Sequence, residues 1–229
     1  RADVVGEAAE AIRASGGDAT ARELDGADEH AVQDIARRVA SDYGPVGVLM
    51  NNAAVFLRGG EIAQIEDDVW RWLLGVNLFG PIHCVRSFLP YMREHGQGAH
   101  IVNTSSISGF VVRDRKNGAY AATKSALVSY SEALAFDLKG TGIGVSVVLP
   151  GTVASDFYVT SAEHRGGLGG PNLYPTTPAD TAAGMTPAEV AARINPLCTQ
   201  YLTIGRPWQH SLCASSFSWC GKTRSSPPP

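Results

Sequence analysis

Gly118-Ala119-Tyr120-Ala121-Ala122-Thr123-Lys124 lies within a segment whose composition is typical of an α-helix. On a helix, a spacing of four residues places Tyr120 and Lys124 on one face, a single turn apart. A free tyrosine has a pKa of about 10 and exchanges protons poorly at neutral pH. A lysine cation beside the phenol favours the phenolate and brings this pKa toward the working range. With a serine hydroxyl directed at the same point, the pair is suited to interconverting an alcohol and a carbonyl.

The Tyr-x-x-x-Lys spacing is weak evidence when it stands alone. The chain contains seven tyrosines, and at an average lysine frequency such a pair arises by chance in about a third of similar chains. The alternative is a helix with one core tyrosine and one solvated lysine. The order of the surrounding elements therefore decides between the two interpretations.

Length, charge and composition limit the classes of protein to which the chain can belong. The chain has 229 residues and a net charge of −3, which fits one domain with a substantial core. We find no basic stripe for nucleic acid, no apolar run of membrane-spanning length and no metal-ligand spacing. Cys84 lies alone in the body of the chain and is expected to be an inert core thiol, so we predict a reduced, cytoplasmic protein. The chain begins Arg1-Ala2-Asp3, and we expect it to be a fragment.

Helical and apolar segments alternate over most of the chain. Helices are expected at about 3–15, 28–43, 66–92, 118–138 and 186–194. Strands are expected at 19–24, 46–50, 100–103 and 143–149. Pro81 predicts a kink in the third helix or its division into two. This alternation predicts βαβ units and a parallel sheet.

Two segments differ in character from the alternating pattern. Residues 155–187 are rich in Gly, Pro, Thr and Ala, which predicts a lid or a disordered segment. From residue 195 there is no clear period, and three of the four cysteines lie there. We interpret 195–229 as an irregular, disordered or non-native tail, with a docking segment as the alternative.

Five short motifs, taken in order, resemble the short-chain dehydrogenase/reductase family. They are Asn51-Asn52-Ala53-Ala54, Val76-Asn77-Leu78, Ile101-Val102-Asn103-Thr104-Ser105-Ser106, Tyr120-Ala121-Ala122-Thr123-Lys124 and Pro150-Gly151-Thr152-Val153. The resemblance covers roughly residues 3–194. It implies that residues 1–194 form part of an α/β Rossmann domain, a doubly wound parallel sheet that binds NAD or NADP. It also implies hydride transfer between the nicotinamide cofactor and an alcohol or ketone.

The resemblance implies a role for each matched catalytic residue. Tyr120 would be the general acid/base, and Ser106 would hydrogen-bond the substrate oxygen and stabilise its developing charge. Lys124 would lower the pKa of the phenol and hold the ribose hydroxyls of the cofactor. Asn77 would keep a water in a proton relay to solvent, the alternative being an asparagine that merely interrupts a helix.

A second set of residues is implied for the cofactor. Asp25 would meet the adenine, although a helix cap is nearly as good an interpretation. Asn51 and Ala53 would line the adenosine side, and Val153 would meet the carboxamide through its backbone. Ser155 would meet the phosphates, with an ordinary loop serine as the alternative. The choice between NAD and NADP stays open.

The chain departs from the family pattern at its start. The first strand, the glycine-rich phosphate loop and the following strand have no counterpart in the sequence. Because that first strand is expected beside residues 46–50, at the centre of the sheet, we expect weak or absent NAD(P) binding by these residues alone. Two alternatives to an active NAD(P)-dependent oxidoreductase are a non-catalytic subunit and an inactive fragment. A nucleotide-sugar epimerase or dehydratase is a third, but too little chain follows Pro150 for its substrate domain.

The resemblance also bears on partners. The family usually assembles through the helices that carry Asn77 and Tyr120, so a homodimer or homotetramer is expected. The outward-facing residues expected to serve this contact are Leu78, Phe88, Leu127 and Phe136. The substrate is expected to be a small-molecule alcohol or carbonyl compound, and Phe157, Tyr158, Leu168 and Leu173 favour an apolar one.

Overall fold

The computed structural model of the protein describes residues 2–96, 98–112, 117–168, 185–186, 188–190, 192 and 213–214. The helices are α1 (Ala2–Ala14), α2 (Glu29–Tyr43), α3 (Asp67–Leu74), α4 (Gly80–Glu94), α5 (Gly118–Asp137) and α6 (Phe157–Arg165). The strands are β1 (Val48–Asn51), β2 (Ala99–Thr104), β3 (Ile143–Leu149) and β4 (Cys213–Ala214). Within these ranges, every helix is too short or too polar to cross a lipid bilayer.

The four strands form one parallel sheet in the order β1-β2-β3-β4. Ile101 is in register with Leu49 on one side and with Val145 on the other. The first five residues of β2 are all buried, which is the pattern of a strand covered on both faces. The prediction of an α/β fold with a parallel sheet is therefore confirmed. Most of 195–229 lies outside the described residues, so the interpretation of that segment stays a prediction.

The main core lies between one face of the sheet and helices α2, α4 and α5. Its members are Ala36, Leu49, Val85, Phe88, Met92, Ala99, Ile101, Leu134, Leu138 and Ile143. Each large apolar side chain buried here contributes about 1.5–3 kcal/mol relative to exposure. Burial also raises the pKa of the Cys84 thiol beside this cluster, as expected for an inert core cysteine.

Two of the residues expected to face outward lie in the interior instead. Phe88 is 8 % exposed and Leu127 is 0 % exposed, because the faces of α4 and α5 that carry them pack inside the protein. Leu78 is half-buried, whereas Phe136 is 72 % exposed as expected. The prediction of a homo-oligomer therefore loses two of its four supporting residues.

The long helical segment expected at 66–92 is divided, as Pro81 predicted. A π-helical turn, Gly75–Phe79, joins α3 to α4, and Pro81 lies in the first turn of α4. A π-turn carries one extra residue and changes the hydrogen-bond spacing. Proline lacks a backbone N–H and is tolerated in a first turn, where no intrahelical partner is needed. The division places Asn77 within the π-turn.

Two expectations for irregular segments need correction. Residues 19–24 are not a strand, since they pair with no strand among the described residues and their side chains are mostly exposed. Thr20 and Arg22 hydrogen-bond to Tyr43 and Asp42 of α2 instead. The segment from residue 155 is not wholly irregular, because residues 157–165 lack glycine and proline and form α6. Residues 169–184, where the glycine and proline lie, are outside the described residues.

Hydrogen bonds of capping side chains mark the starts of the helices predicted at 28–43 and 186–194. Asp28 caps α2 by accepting from the backbone N–H groups of His30 and Ala31, at 3.0 and 3.1 Å. Thr186 and Glu189 form a reciprocal capping box: the Glu189 carboxylate accepts from the Thr186 backbone at 2.7 Å, and the Thr186 hydroxyl accepts from the Glu189 backbone at 3.2 Å.

A buried histidine links β2 to β3. His100 is 1 % exposed, and its Nε2 lies 2.8 Å from the hydroxyl oxygen of Ser146. Burial lowers the pKa of His100 from 6.5 to about 4. As the pH falls, His100 is protonated in the unfolded chain at a higher pH than in the folded protein. Its contribution to stability is therefore complete above about pH 6.5 and is lost as the pH falls toward 4.

We expect the free energy of unfolding to be lower at about pH 4.5 than at pH 7, with His100 contributing about 2 kcal/mol of the difference. Urea unfolding at the two pH values measures it. His100→Gln removes the titrating group and should reduce the difference, whereas His30→Gln, at an exposed position, should leave it unchanged. An equal pH dependence in His100→Gln and the wild type would contradict this assignment.

Candidate active site

The pairing of β2 with β3 continues beyond the strand ends and positions Ser106. The Ser105 backbone N–H donates to Val148 O at 2.8 Å, and the Ile107 N–H donates to Pro150 O at 2.9 Å. Ser106 lies between these two bonds in an extended conformation and is 9 % exposed. Its hydroxyl oxygen accepts from the Ser108 backbone at 3.1 Å. The serine is thus held at the carboxyl edge of the sheet, where parallel α/β folds bind ligands.

Helix α5 brings Tyr120 and Lys124 to the same place. The Lys124 Nζ lies 5.8 Å from the centroid of the Tyr120 ring, as the four-residue spacing predicted. It also donates a hydrogen bond to Thr104 O, at the end of β2, at 2.9 Å. Tyr120 is 6 % exposed and Lys124 is 1 % exposed. Both polar groups are therefore held inside the protein beside Ser106.

Burial dominates the electrostatics of this pair. It raises the pKa of Tyr120, and a side-chain hydrogen bond with Ser106 partly opposes the rise. The same burial lowers the pKa of Lys124 to about 8, so the ammonium is still the main form at neutral pH. The net lowering of the tyrosine pKa that we expected is not present here. Burial therefore favours the protonated phenol.

Two serines and a glycine fasten the Ser106 turn to α5. The Ser105 hydroxyl donates to Lys124 O at 2.8 Å, and the Ser125 hydroxyl donates to Gly109 O at 2.6 Å. A Cβ at Gly109 would lie 2.7 Å from the Lys124 carbonyl carbon, closer than any normal contact. Only glycine therefore allows this approach of the two backbones.

Asn77 is completely buried, and its amide joins three segments. Its Oδ1 accepts from the Val55 backbone N–H at 2.8 Å, and its Nδ2 donates to Val55 O at 2.9 Å. The Nδ2 also donates to the Thr123 hydroxyl at 3.1 Å, and that hydroxyl donates to Tyr120 O at 2.8 Å. The π-turn, the loop after β1 and the N-terminal part of α5 are thereby connected next to Tyr120 and Lys124.

A second buried network ties the strand ends to α5. Asn51 Nδ2 donates to Asn103 Oδ1 at 2.8 Å, and Asn103 Nδ2 donates to the Ser131 hydroxyl at 2.8 Å. The Ser131 hydroxyl in turn donates to Leu127 O at 2.6 Å. The side chain of Asn51, expected at the cofactor, thus serves at least partly to align β1, β2 and α5.

The other residues expected at the cofactor are spread along the same edge. Ala53 is exposed just after β1, while Val153 and Ser155 are half-buried after β3. Val153 forms a parallel bridge with Met185. Asp25 is exposed before α2, and its carboxylate accepts from the Ala27 backbone at 2.9 Å. This contact forms a turn that precedes α2, and the cap of that helix is Asp28 rather than Asp25. The helix-cap interpretation of Asp25 is therefore wrong, and its contact with adenine stays a prediction.

The donor set at the end of β2 fits the ribose end of a nicotinamide cofactor. An ammonium carries three donors, and Lys124 gives one of them to Thr104 O. The Thr104 hydroxyl oxygen is buried and makes no hydrogen bond within the described part of the chain. A ligand with hydroxyl groups would form hydrogen bonds with both the Lys124 ammonium and the Thr104 hydroxyl. Such an arrangement suits a polar ligand better than a closed core.

Comparison with known proteins agrees with this geometry. The sequence profile of the family described as short chain dehydrogenase matches residues 1–166. The chain belongs to this family. Short-chain dehydrogenase structures share its fold: one from Burkholderia phymatum, solved in complex with NAD, has a TM-score of 0.78 and 26 % identity. That match covers 92 % of this chain and 76 % of the other.

Two relatives that are similar in sequence are oxidoreductases by name. The uncharacterized oxidoreductase YxbG of Bacillus subtilis is 34 % identical over 66 % of this chain and 54 % of its own length. The uncharacterized NAD-dependent oxidoreductase Rv0687 of Mycobacterium tuberculosis is 31 % identical over 82 % of this chain and 68 % of its own length. The chain thus spans about half the length of the first relative.

Sequence reasoning missed four residues that contact Tyr120 or hold α5 against its neighbours. They are Phe56, Asn103, Thr123 and Ser131. Asn103 could have been identified from the sequence, because an amide in a strand buried on both faces needs a hydrogen-bond partner. Thr123 could not have been identified in this way, because a threonine in a helix is exposed about as often as it is buried.

We expect Thr123→Val to lower the free energy of unfolding by about 1–3 kcal/mol, because it leaves a buried Asn77 donor without an acceptor. Thr123→Ser is the matched control: it keeps the hydroxyl and loses only a methyl group, so it should cost about 1 kcal/mol. Urea unfolding of the two variants measures the difference. A valine variant as stable as the serine variant would show that the Asn77–Thr123 bond contributes nothing.

Proposed function

We propose that this short-chain dehydrogenase is an NAD(P)-dependent oxidoreductase that interconverts an alcohol and a ketone, with Tyr120 as the acid/base. One observation carries the proposal: the Ser106 hydroxyl is close enough to the Tyr120 phenol to oppose the rise in its pKa, and the Lys124 ammonium lies 5.8 Å from the ring of that tyrosine. A proton donor, an oxygen-binding hydroxyl and a cation thus share one buried site.

In the direction of reduction, the substrate carbonyl oxygen lies between the Ser106 and Tyr120 hydroxyls. Ser106 donates a hydrogen bond that stabilises the negative charge developing on this oxygen. The nicotinamide cofactor, when bound, supplies the hydride. Tyr120 gives its proton to the oxygen, and burial assists by keeping the phenol protonated until then. In the direction of oxidation, the tyrosinate takes the proton back.

Lys124 has two roles in this proposal. Its charge stabilises the tyrosinate that remains after proton transfer, since opposite charges interact strongly in a buried site. Its remaining donors bind the cofactor ribose. Asn77 belongs to the proton relay as the residue that holds a water. Both of its amide hydrogens are already donated to Val55 O and Thr123, so that water would donate to an oxygen atom of Asn77.

The cofactor would lie along the carboxyl edge of the sheet. Asn51 and Ala53 would line its adenosine side, and Val153 and Ser155 would meet its carboxamide and phosphates. The adenine contact of Asp25 belongs to the same proposal. The NAD-dependent name of Rv0687 supports NAD, and the proposal covers NADP equally. Cytoplasmic location and assembly as a homodimer or homotetramer stay predictions.

The test is Tyr120→Phe in the protein expressed from its complete gene. The substitution removes only the hydroxyl, so kcat should fall at least about a hundredfold, the usual contribution of a positioned acid/base. Cofactor binding should largely survive. Lys124→Ala should weaken both turnover and cofactor binding. Steady-state kinetics and cofactor titration measure these quantities.

Tyr130→Phe is the matched control, because Tyr130 is a half-buried tyrosine on the same helix and should keep its activity. A Tyr120→Phe variant with near-normal kcat would refute the proposed mechanism. Loss of activity in both tyrosine variants would indicate damage to α5 rather than to the acid/base. Wild-type protein without turnover of any alcohol or ketone would favour the non-catalytic alternative.

A further inference from the structure

Three aromatic side chains form a cluster beside Tyr120, and two of them, Phe56 and Phe157, have ring contacts with it. Phe56 comes from the loop after β1, and Phe157 and Tyr158 come from the start of α6. The Phe56 ring lies edge-on to Tyr120, with the centroids 4.9 Å apart, and edge-on to Tyr158 at 4.8 Å. Aromatic pairs in this geometry attract each other through the positive edge and negative face of the rings. Phe56 is thus the central ring of the group.

Hydrogen bonds fix Phe56 relative to α6. The Phe56 backbone N–H donates to the Ser161 hydroxyl at 3.0 Å, and that hydroxyl donates to Phe157 O at 2.6 Å. Ser161 is only 2 % exposed, so the link is protected from water. The loop after β1 and helix α6 are therefore held together as two walls beside the tyrosine.

Phe157 is the most loosely packed ring of the group. Its centroid lies 6.1 Å from that of Phe56 and 6.4 Å from that of Tyr120. Attractive aromatic pairs extend over about 4.5–7 Å, so these two contacts are at the long end of the range. The side chain is half-buried, as are those of Phe56 and Tyr158, so its longer ring distances are what set it apart. A ligand ring can replace Phe157 here at lower cost than it can replace Phe56.

The polar side of Tyr120 limits where a substrate can extend. The substrate oxygen must lie at the Ser106 and Tyr120 hydroxyls. The Lys124 ammonium lies 5.8 Å from the centroid of the tyrosine ring. Apolar substituents avoid this polar side, because they would bury the polar groups without hydrogen bonds. They are therefore directed toward Phe56 and α6.

From these contacts we infer that the substrate is an aryl alcohol or aryl ketone, whose aromatic ring packs against Phe56 in the place that Phe157 now partly fills. The inference rests on the proposed function and adds the class of substrate. A saturated ring of the same size would bury similar area but lack the edge-to-face attraction. The expected preference for the aromatic ring is about twofold to tenfold.

The test compares acetophenone with cyclohexyl methyl ketone, which differ mainly in the aromaticity of the ring. In the protein expressed from its complete gene, both kcat/KM and the dissociation constant from calorimetry should favour acetophenone by about twofold to tenfold. Phe56→Leu keeps an apolar side chain and should remove most of this preference, mainly through KM. Phe136→Leu, at a position 72 % exposed on α5, is the control and should retain it.

Equal affinity and equal kcat/KM for the two ketones in the wild type would overturn the inference, as would a preference unchanged by Phe56→Leu. Calorimetry decides the matter even without turnover. Failure here is distinguishable from failure of the proposed function: if Tyr120→Phe abolishes turnover of both ketones but neither is preferred, the mechanism stands and the substrate class is wrong.

Discussion

The arrangement of the site depends on the hydrogen bonds of one buried amide, that of Asn77. Its two polar atoms satisfy both backbone groups of Val55 and the hydroxyl of Thr123. A buried amide left without partners is expensive, so the three segments that it contacts are held in one relative position. The division of the long helix at the π-turn serves this contact, because it brings Asn77 against the loop after β1.

The buried surroundings of Asn77 extend to Tyr120 and Lys124, and they determine the protonation of these two side chains. Burial opposes the charged form of both Tyr120 and Lys124, so the phenol keeps its proton and the ammonium is easier to deprotonate than in water. A charge that appears on the tyrosine is then stabilised by few groups, chiefly the nearby ammonium. The strength of that stabilisation comes from the burial of both side chains, Tyr120 at 6 % and Lys124 at 1 % exposure.

Most of the fold was predictable because it follows from local patterns. The apolar runs at β2 and β3, the cap at Asp28 and the division at Pro81 each have a cause within a few residues. The failures have non-local causes. Residues 19–24 have the composition of a strand but pair with none in the described chain, and Leu127 lies inward because of the tertiary packing of α5. The four-residue spacing placed Tyr120 beside Lys124, yet it carried no information on how deeply either would be buried.

Gly109 has a consequence for the genetics of this protein. The constraint on it is one of space, since a Cβ there would press on the Lys124 carbonyl, and no larger side chain avoids the clash. Every single-base change that alters a glycine codon to another amino acid adds a side chain. No amino acid that a single base change can introduce at position 109 is therefore tolerated, although Gly109 has no side chain that could contact a substrate. In a population of gene variants it should be as invariant as Tyr120.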